Sequence, residues 1–256
     1  MIDIHCHILP GLDDGAQTRE DSLAMAREAV KEGISEIIAT PHHQHPSFQN
    51  DGSSVRKAVD ALNNDLEAAG IELIIRPGQE LRLYGEMTQG LASGSGLALA
   101  DSKYVLIEFP SSEVPAYAAR LLYEIGSEGY IPVIAHPERN KVFKEDPDKL
   151  YELVKNGALT QLTSSSVTGY FGKDIATFSR ELVEANLVHV LASDAHNLVN
   201  RTFRMQEAFH VLEEHYGQDL VYSYQENARL IAEDKHVYLE PPERVVKKRK
   251  KWLGLF

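Results

Sequence analysis

The chain has 256 residues, 43% hydrophobic and 25% charged, which is the composition of a soluble globular protein with room for one sizeable core. Its formal net charge is −12, and six of its 26 basic residues crowd into positions 244–251, so the body is more acidic still and repels a phosphate backbone; a free-standing nucleic-acid enzyme is disfavoured. No apolar stretch approaches the roughly 18 residues needed to cross a bilayer, the N-terminus shows no basic leader, and the single cysteine permits no internal disulfide, all of which points to a cytoplasmic protein.

The first apolar run, Met1–His7, alternates so that His5 and His7 face one way and Cys6 the other, where it reads as a packing thiol. A cysteine phosphatase would need an arginine six positions after the nucleophile, and that position is Leu12, which excludes the mechanism. Asp13 and Asp14 follow, either to orient these histidines or simply to turn the loop. Thr18 is placed to cap a helix over Arg19–Glu32 that Gly33 stops. The second strand, Glu36–Pro41, leads to His42, with His43 and His45 expected on an exposed loop. A helix over Ser54–Ala69 ends at Gly70, the third strand, Ile71–Glu80, ends on Glu80, and the fourth, Tyr104–Phe109, carries Glu108.

A helix over Pro115–Ser127 precedes the fifth strand, Ile131–His136, and Arg139 lies just beyond it. Helix Asp148–Asn156, strand Ala158–Thr163, helix Lys173–Asn186 and strand Leu187–Asp194 continue the alternation. The seventh strand ends on Asp194, with His196 two residues on and Arg201 beyond; His189, on the opposite face, is expected to pack beneath a helix. Two further helices, about Phe203–Tyr216 and Ser223–Glu233, are expected to pack against the outside, and His210, His215 and His236 carry no assigned role.

Seven strands alternating with helices imply a parallel sheet. Metal-ligating side chains stand at the C-terminal ends of strands one to five and seven, and only a closed or nearly closed sheet gathers so many strand ends around one point. The prediction is an α/β fold, a distorted seven-stranded (β/α)7 TIM-like barrel over residues 1–240, followed by a basic and aromatic tail over 241–256.

Eight candidate ligands, His5, His7, His42, Glu80, Glu108, His136, Asp194 and His196, exceed what one ion requires. Two or three divalent ions would share them, with Glu80 as the bridge; Glu108 could instead orient an imidazole. Mixed imidazole and carboxylate donors suit manganese, iron, cobalt or zinc. Such a site lowers the pKa of bound water and clamps a phosphate, so hydrolysis of a phosphoester is the natural reaction.

The runs DIHCHILPGLDDG, ATPHH, GQE, LIEF, IAHPER and ASDAHN, in order along nearly the whole chain, closely resemble the polymerase and histidinol phosphatase (PHP) superfamily, and within it the bacterial manganese-dependent tyrosine-protein phosphatases of the CpsB/YwqE type. The resemblance implies a trinuclear site built from those eight ligands, Arg139 and Arg201 as phosphate-assisting residues, attack by a metal-activated hydroxide, and phosphotyrosine on a tyrosine kinase controlling capsule or exopolysaccharide synthesis as the substrate. Each arginine also has a plain structural reading: Arg139 as a partner of Glu138, Arg201 as a surface residue.

Three other functions stay open at this point. A small-molecule PHP phosphatase, such as one acting on histidinol phosphate, would use the same metals. An amidohydrolase also opens with H-x-H, but many bridge their metals with a lysine at the fourth strand, where this chain has Glu108. A non-catalytic, metal-stabilised kinase-binding module would gain nothing from open metal positions. The tail combines KKRKK with WLGLF and reads either as a solvated extension or as a contact with the inner face of the membrane, through basic residues and an aromatic wedge from Trp252 and Phe256.

Overall fold

The computed structural model describes residues 1–246. Among them nine short strands form, all paired in parallel: β1 (Ile2–Cys6), β2 (Glu36–Ala39), β3 (His42–His43), β4 (Ile74–Pro77), β5 (Glu80–Arg82), β6 (Tyr104–Glu108), β7 (Ile131–Ala135), β8 (Leu159–Thr163) and β9 (Val190–Ala192). The helices are α1 (Arg19–Lys31), α2 (Gly52–Ala68), α3 (Met87–Ser93), α4 (Ala118–Ser127), α5 (Lys141–Glu145), α6 (Pro147–Lys155), α7 (Ser164–Val167), α8 (Lys173–Glu184), α9 (Met205–Tyr216) and α10 (Gln218–Ala232).

Local chemistry sets the helix ends. Thr18 caps α1 in a reciprocal box with Asp21, and Gly33, at φ +74°, turns the chain where a side chain would be strained. Helix α2 buries Val55, Val59, Leu62 and Leu66, a spacing that draws one stripe along a 3.6-residue helix. Burying each such side chain contributes roughly 1.5–3 kcal/mol.

The strands order as β1-β2-β4 in one sheet and β3-β5-β6-β7-β8-β9 in another. The predicted second strand is therefore shorter, with β3 forming where a loop was expected, and the predicted third is broken in two. Pro41, which has no N–H to give a ladder, interrupts the second. In the third, Gly78 approaches Ile38 so closely that a Cβ would lie 2.7 Å from its Cγ2. Gln79 turns inward, donating to the Asn50 carbonyl at 2.5 Å and accepting from the Leu97 N–H at 2.7 Å.

The predicted seven-stranded barrel is thus met only in part: the fold is α/β with parallel sheets, but its ladder is not continuous. β1 reaches the end of β9 through a single bridge, Cys6 to Ala195, flanked by hydrogen bonds from Asp194 N to His5 O at 2.8 Å and from His7 N to Ala195 O at 2.9 Å.

Ile4, Ile38, Leu106, Val133, Leu159 and Val190 pack into one apolar cluster drawn from both sheets. Ala228, Ile231 and Ala232 of α10 belong to that cluster. The last helix therefore does not lie on the outside as expected. It plugs the strands' N-terminal end, because small and apolar side chains on one of its faces match the gap between them. Beyond it, Glu243 N donates to Ala185 O at 2.8 Å, and Arg244 pairs with Asp148 at 2.8 Å and Glu152 at 2.7 Å on α6. The predicted tail thus begins as a segment bound to the body; its KKRKK and WLGLF portion lies outside the described residues. Among the described residues no helix is long and apolar enough to cross a membrane.

Candidate metal centre

Side-chain parity along β1 puts Asp3, His5 and His7 on one face. Asp3 accepts from the Ser193 N–H at 2.9 Å and its hydroxyl at 2.5 Å, fastening β1 to the chain just after β9; burial pushes its carboxyl up to about 6. The outer nitrogens of the two histidines are occupied: His5 Nδ1 lies 2.9 Å from Gln161 Oε1, and His7 Nδ1 lies 2.6 Å from Asp13 Oδ2. Holding Nδ1 as donor leaves each Nε2 lone pair aimed inward.

The two Nε2 atoms come within 3.2 Å of one another. Glu80 Oε2 lies 3.5 and 3.4 Å from them, and Asp194 Oδ1 lies 3.3 and 3.4 Å from them. Donors bound to one divalent ion at about 2.1 Å stand about 3.4 Å apart at the corners of a tetrahedron. Atoms from three segments, the end of β1, Glu80 of β5 and Asp194 beyond β9, thus lie at separations that suit a shared ion.

The remaining candidates extend from Glu80. Its Oε1 lies 2.7 Å from His136 Nε2, and its Oε2 lies 2.9 Å from His42 Nδ1. His42, Glu80 and Glu108 make a second group with donor atoms within 4.8 Å, and His7, Asp14, His42 and His196 a third. Glu80 belongs to two groups, the position a bridging carboxylate would hold. Glu108 also accepts from Arg82 Nη1 at 2.9 Å. Asp194 Oδ1 and His196 Nε2 are buried and make no hydrogen bond among the described residues. Such orphaned atoms cost roughly 1–3 kcal/mol each unless something satisfies them, and a cation does so for all of them together.

Electrostatics point the same way. Burial alone would raise Glu80 and Asp194, yet the surrounding imidazoles hold Glu80, and Arg139, Arg201 and His5 hold Asp194, well below the usual carboxylate range. Burial, then Glu80, raises Glu108. Burial, then His7, drives His196 down to about 4, the neutral form that ligation requires. His136 and Asp194 sit at φ +35° and +52°, left-handed conformations that cost a non-glycine residue energy and persist where the surroundings impose them.

The loop after β1 settles what its aspartates do. Asp13 accepts from the Gly15 N–H at 2.9 Å and the His42 N–H at 3.0 Å while holding His7, so it orients. Asp14 faces His196 Nε2 at 3.3 Å and His42 Nε2 at 3.5 Å and joins the donors. Gly15 folds back so tightly that a Cβ would lie 2.0 Å from His7 O.

Arg139 and Arg201 both reach Asp194 Oδ2, at 2.7 and 2.9 Å. Arg139 is not paired with Glu138, which instead accepts from Thr163 N at 3.1 Å and the Ser166 hydroxyl at 2.7 Å. Both guanidinium groups line a cleft of about 280 Å³ with His42, Glu80, Glu108 and His136. The loop histidines differ from expectation. His43 is buried through its pairing opposite Leu81, and His45 is half-buried at the cleft rim, stacked on His42 at 4.8 Å and Phe48 at 5.4 Å. His189 packs as expected, accepting from Thr160 N at 3.0 Å.

Sequence reading passed over Asp3, Gln161 and Arg82. Asp3 carries a signal, two residues before His5 on the same face; Gln161, a polar side chain in the middle of an apolar strand, carries a weaker one. Nothing local marks Arg82.

The family of capsular polysaccharide synthesis proteins CpsB/CapC matches residues 1–232. The chain belongs to the CpsB/CapC family. Among CpsB/CapC relatives, the tyrosine-protein phosphatase YwqE of Bacillus subtilis is 52% identical over 256 residues, covering 100% of both chains. The tyrosine-protein phosphatase CpsB of Streptococcus pneumoniae is 32% identical over 222 residues, 85% of this chain and 91% of that one. A solved structure from the pair YwqE and CpsB, described as unique metal-dependent tyrosine phosphatases, superposes with a TM-score of 0.95 at 52% identity, covering 96% of this chain and 100% of that chain.

Proposed function

We propose that this CpsB/CapC chain is a metal-dependent protein-tyrosine phosphatase, and that its substrate is phosphotyrosine on a tyrosine kinase governing capsule or exopolysaccharide synthesis. The activity named for its relatives supports the reaction. The observation that carries it is the convergence of His5 and His7 on each other, on Glu80 and on Asp194 at 3.2–3.5 Å, beneath a cleft rimmed by two arginines. In this reading the eight predicted ligands, joined by Asp14, hold two or three ions, with manganese the first to test. Residues 1–240 act as one unit, a seven-stranded (β/α)7 barrel whose ladder is broken after Ala39 and Pro77 and whose seam is the Cys6–Ala195 bridge.

When bound, the ions supply positive charge to the phosphoryl oxygens and a water of lowered pKa. The chain does the rest. Gln161 and Asp13 keep the Nε2 atoms of His5 and His7 inward, and Asp194 ties both guanidinium groups to the ligand cluster. The free N–H groups of Arg139 and Arg201 then face a phosphate in the cleft and neutralise charge on its equatorial oxygens as the bond to the leaving group breaks. A tyrosine phenol has a reference pKa near 10, so it departs far more readily than a serine alkoxide and needs less help from an acid. No covalent phosphoenzyme is required. Arg139→Ala should lower kcat/KM on a phosphotyrosyl peptide about a hundredfold while leaving metal content by elemental analysis unchanged; unaltered kcat/KM would remove Arg139 from the clamp.

The deciding experiment is turnover of a phosphotyrosyl peptide by metal-stripped protein with manganese restored or withheld, beside a phosphoseryl peptide and histidinol phosphate. Manganese-dependent activity selective for phosphotyrosine is the expected result. Activity on histidinol phosphate alone would keep the site and overturn the substrate, and no activity would leave a binding module. For the tail we infer a cytoplasmic protein held at the inner membrane face by residues 247–256; a chain ending at Val246 that sediments with anionic vesicles as well as the full chain would overturn this.

A further inference from the structure

A second cleft, of about 380 Å³, opens on the far side of Asp14 from the first. Asp14 lines both, so the two clefts adjoin at that residue, and His196, another candidate ligand, also lines the second. Its walls are mainly apolar, from Ala16, Ala24, Met25, Leu198 and Val199, and Asp21 stands on its edge. Two of these side chains are conspicuous for a water-facing position: Leu198 is 42% and Val199 86% exposed.

Their exposure is not the looseness of a slack loop. Asn197 Oδ1 accepts from the backbone N–H groups of Val199, Asn200 and Arg201 at 3.0, 3.0 and 3.3 Å. His196 N and Asn197 N in turn donate to Arg201 O at 2.8 and 3.1 Å. The backbone between a candidate ligand and a candidate phosphate-binding arginine is therefore set without help from the two apolar side chains, which project from a rigid turn and add nothing to the turn's own bonding. Placed beside the candidate catalytic cleft, these exposed apolar groups offer a surface that a bound chain can cover.

We propose that this second cleft is a substrate subsite that receives an apolar side chain flanking the phosphotyrosine of the polypeptide being dephosphorylated. The inference rests on the phosphatase reading above and names what that site recognises beyond the phosphoryl group. Adjacency at Asp14 places the cleft within reach of a residue next to one whose phosphate lies between Arg139 and Arg201. The apolar walls favour leucine-like side chains. Asp14 and Asp21, on a chain of net charge −12, repel an acidic one. Because Asn197 fixes the turn, Leu198 and Val199 can be changed without disturbing His196 or Arg201.

The test compares manganese-loaded wild-type protein with a Leu198→Ser, Val199→Ser double variant. The substrates are phenyl phosphate and matched phosphotyrosyl peptides carrying leucine, serine or glutamate beside the phosphotyrosine. Wild type should prefer the leucine peptide over the serine peptide by about tenfold in kcat/KM, the worth of an apolar side chain in a fitted pocket, with the glutamate peptide poorest. The variant should lose that preference and keep its kcat/KM on phenyl phosphate. Equal turnover of the three peptides by wild type, or a preference unchanged in the variant, would overturn the subsite. If wild type hydrolysed none of the substrates, the phosphatase reading itself would fall.

Discussion

Gly15 shows how closely a single residue can govern the candidate centre. A Cβ there would lie 2.0 Å from His7 O and 2.5 Å from its Cβ, so Gly15→Ala should push His7 out of line with His5 and cost about 1–3 kcal/mol of stability, read by urea unfolding, with bound metal reduced. A variant with wild-type metal content would show that the loop yields harmlessly. At the other end of the sheets, burial holds His189 down to about 4 from its ordinary 6.5. The unfolded chain therefore takes up this proton first, and stability that is complete above pH 6.5 is lost as pH falls toward 4. His189→Asn, which keeps an acceptor for Thr160 N–H, should remove that loss. The stability difference between the two proteins should shift by about 3 kcal/mol in the variant's favour between pH 7 and 4; a difference independent of pH would dismiss the assignment. At this scale the eight candidate donors and the pairing of His5 with His7 were legible from spacing alone. Asp13 stood as one of two readings of its loop, whereas the orienting role of Gln161 was not legible, because a hydrogen bond across 156 residues leaves no local trace.

Elements that carry their own signals were read nearly to the residue. Thr18 and Gly33 bracket α1, and Gly70 closes α2, since capping and left-handed turns are decided within a few positions. Strands fared less well. The run Ile71–Glu80 reads as one strand, yet a close approach of Gly78 to Ile38 and the inward turn of Gln79 divide it, and both depend on neighbours far along the chain. α10 is the clearest case: its amphipathic pattern fixes a buried face but not which surface covers it. Ile231 is fully buried among Ile4, Ile38 and Leu106. Ile231→Ala should cost about 2–5 kcal/mol in urea unfolding, with KM for a phosphotyrosyl peptide unchanged, because the plug lies at the end opposite the cleft. A raised KM would show that the plug is coupled to the site.

Across the whole molecule the candidate centre ties β1 of one sheet to strands of the other. Its carboxylates and imidazoles join β1, β5, β7 and the chain beyond β9, and binding of ions to this folded arrangement stabilises it by mass action, about 2.7 kcal/mol at a hundredfold excess over Kd. Metal-stripped protein should therefore melt about 5–10 °C lower in calorimetry and recover with manganese; an unshifted melting temperature would sever metal binding from stability. The sequence alone determined the alternation of strands and helices, the donor types and their places near strand ends, because these follow from periodicities of two and 3.6 residues and from turn chemistry within a few positions. Only the tertiary structure decided that the sheets meet at Cys6 and Ala195, that Asp194 receives both arginines, that Asp14 stands among the donors and that α10 closes the apolar centre. Those outcomes depend on contacts such as Asp3 with Ser193, 190 residues apart, where geometry is set by how all the strands pack at once.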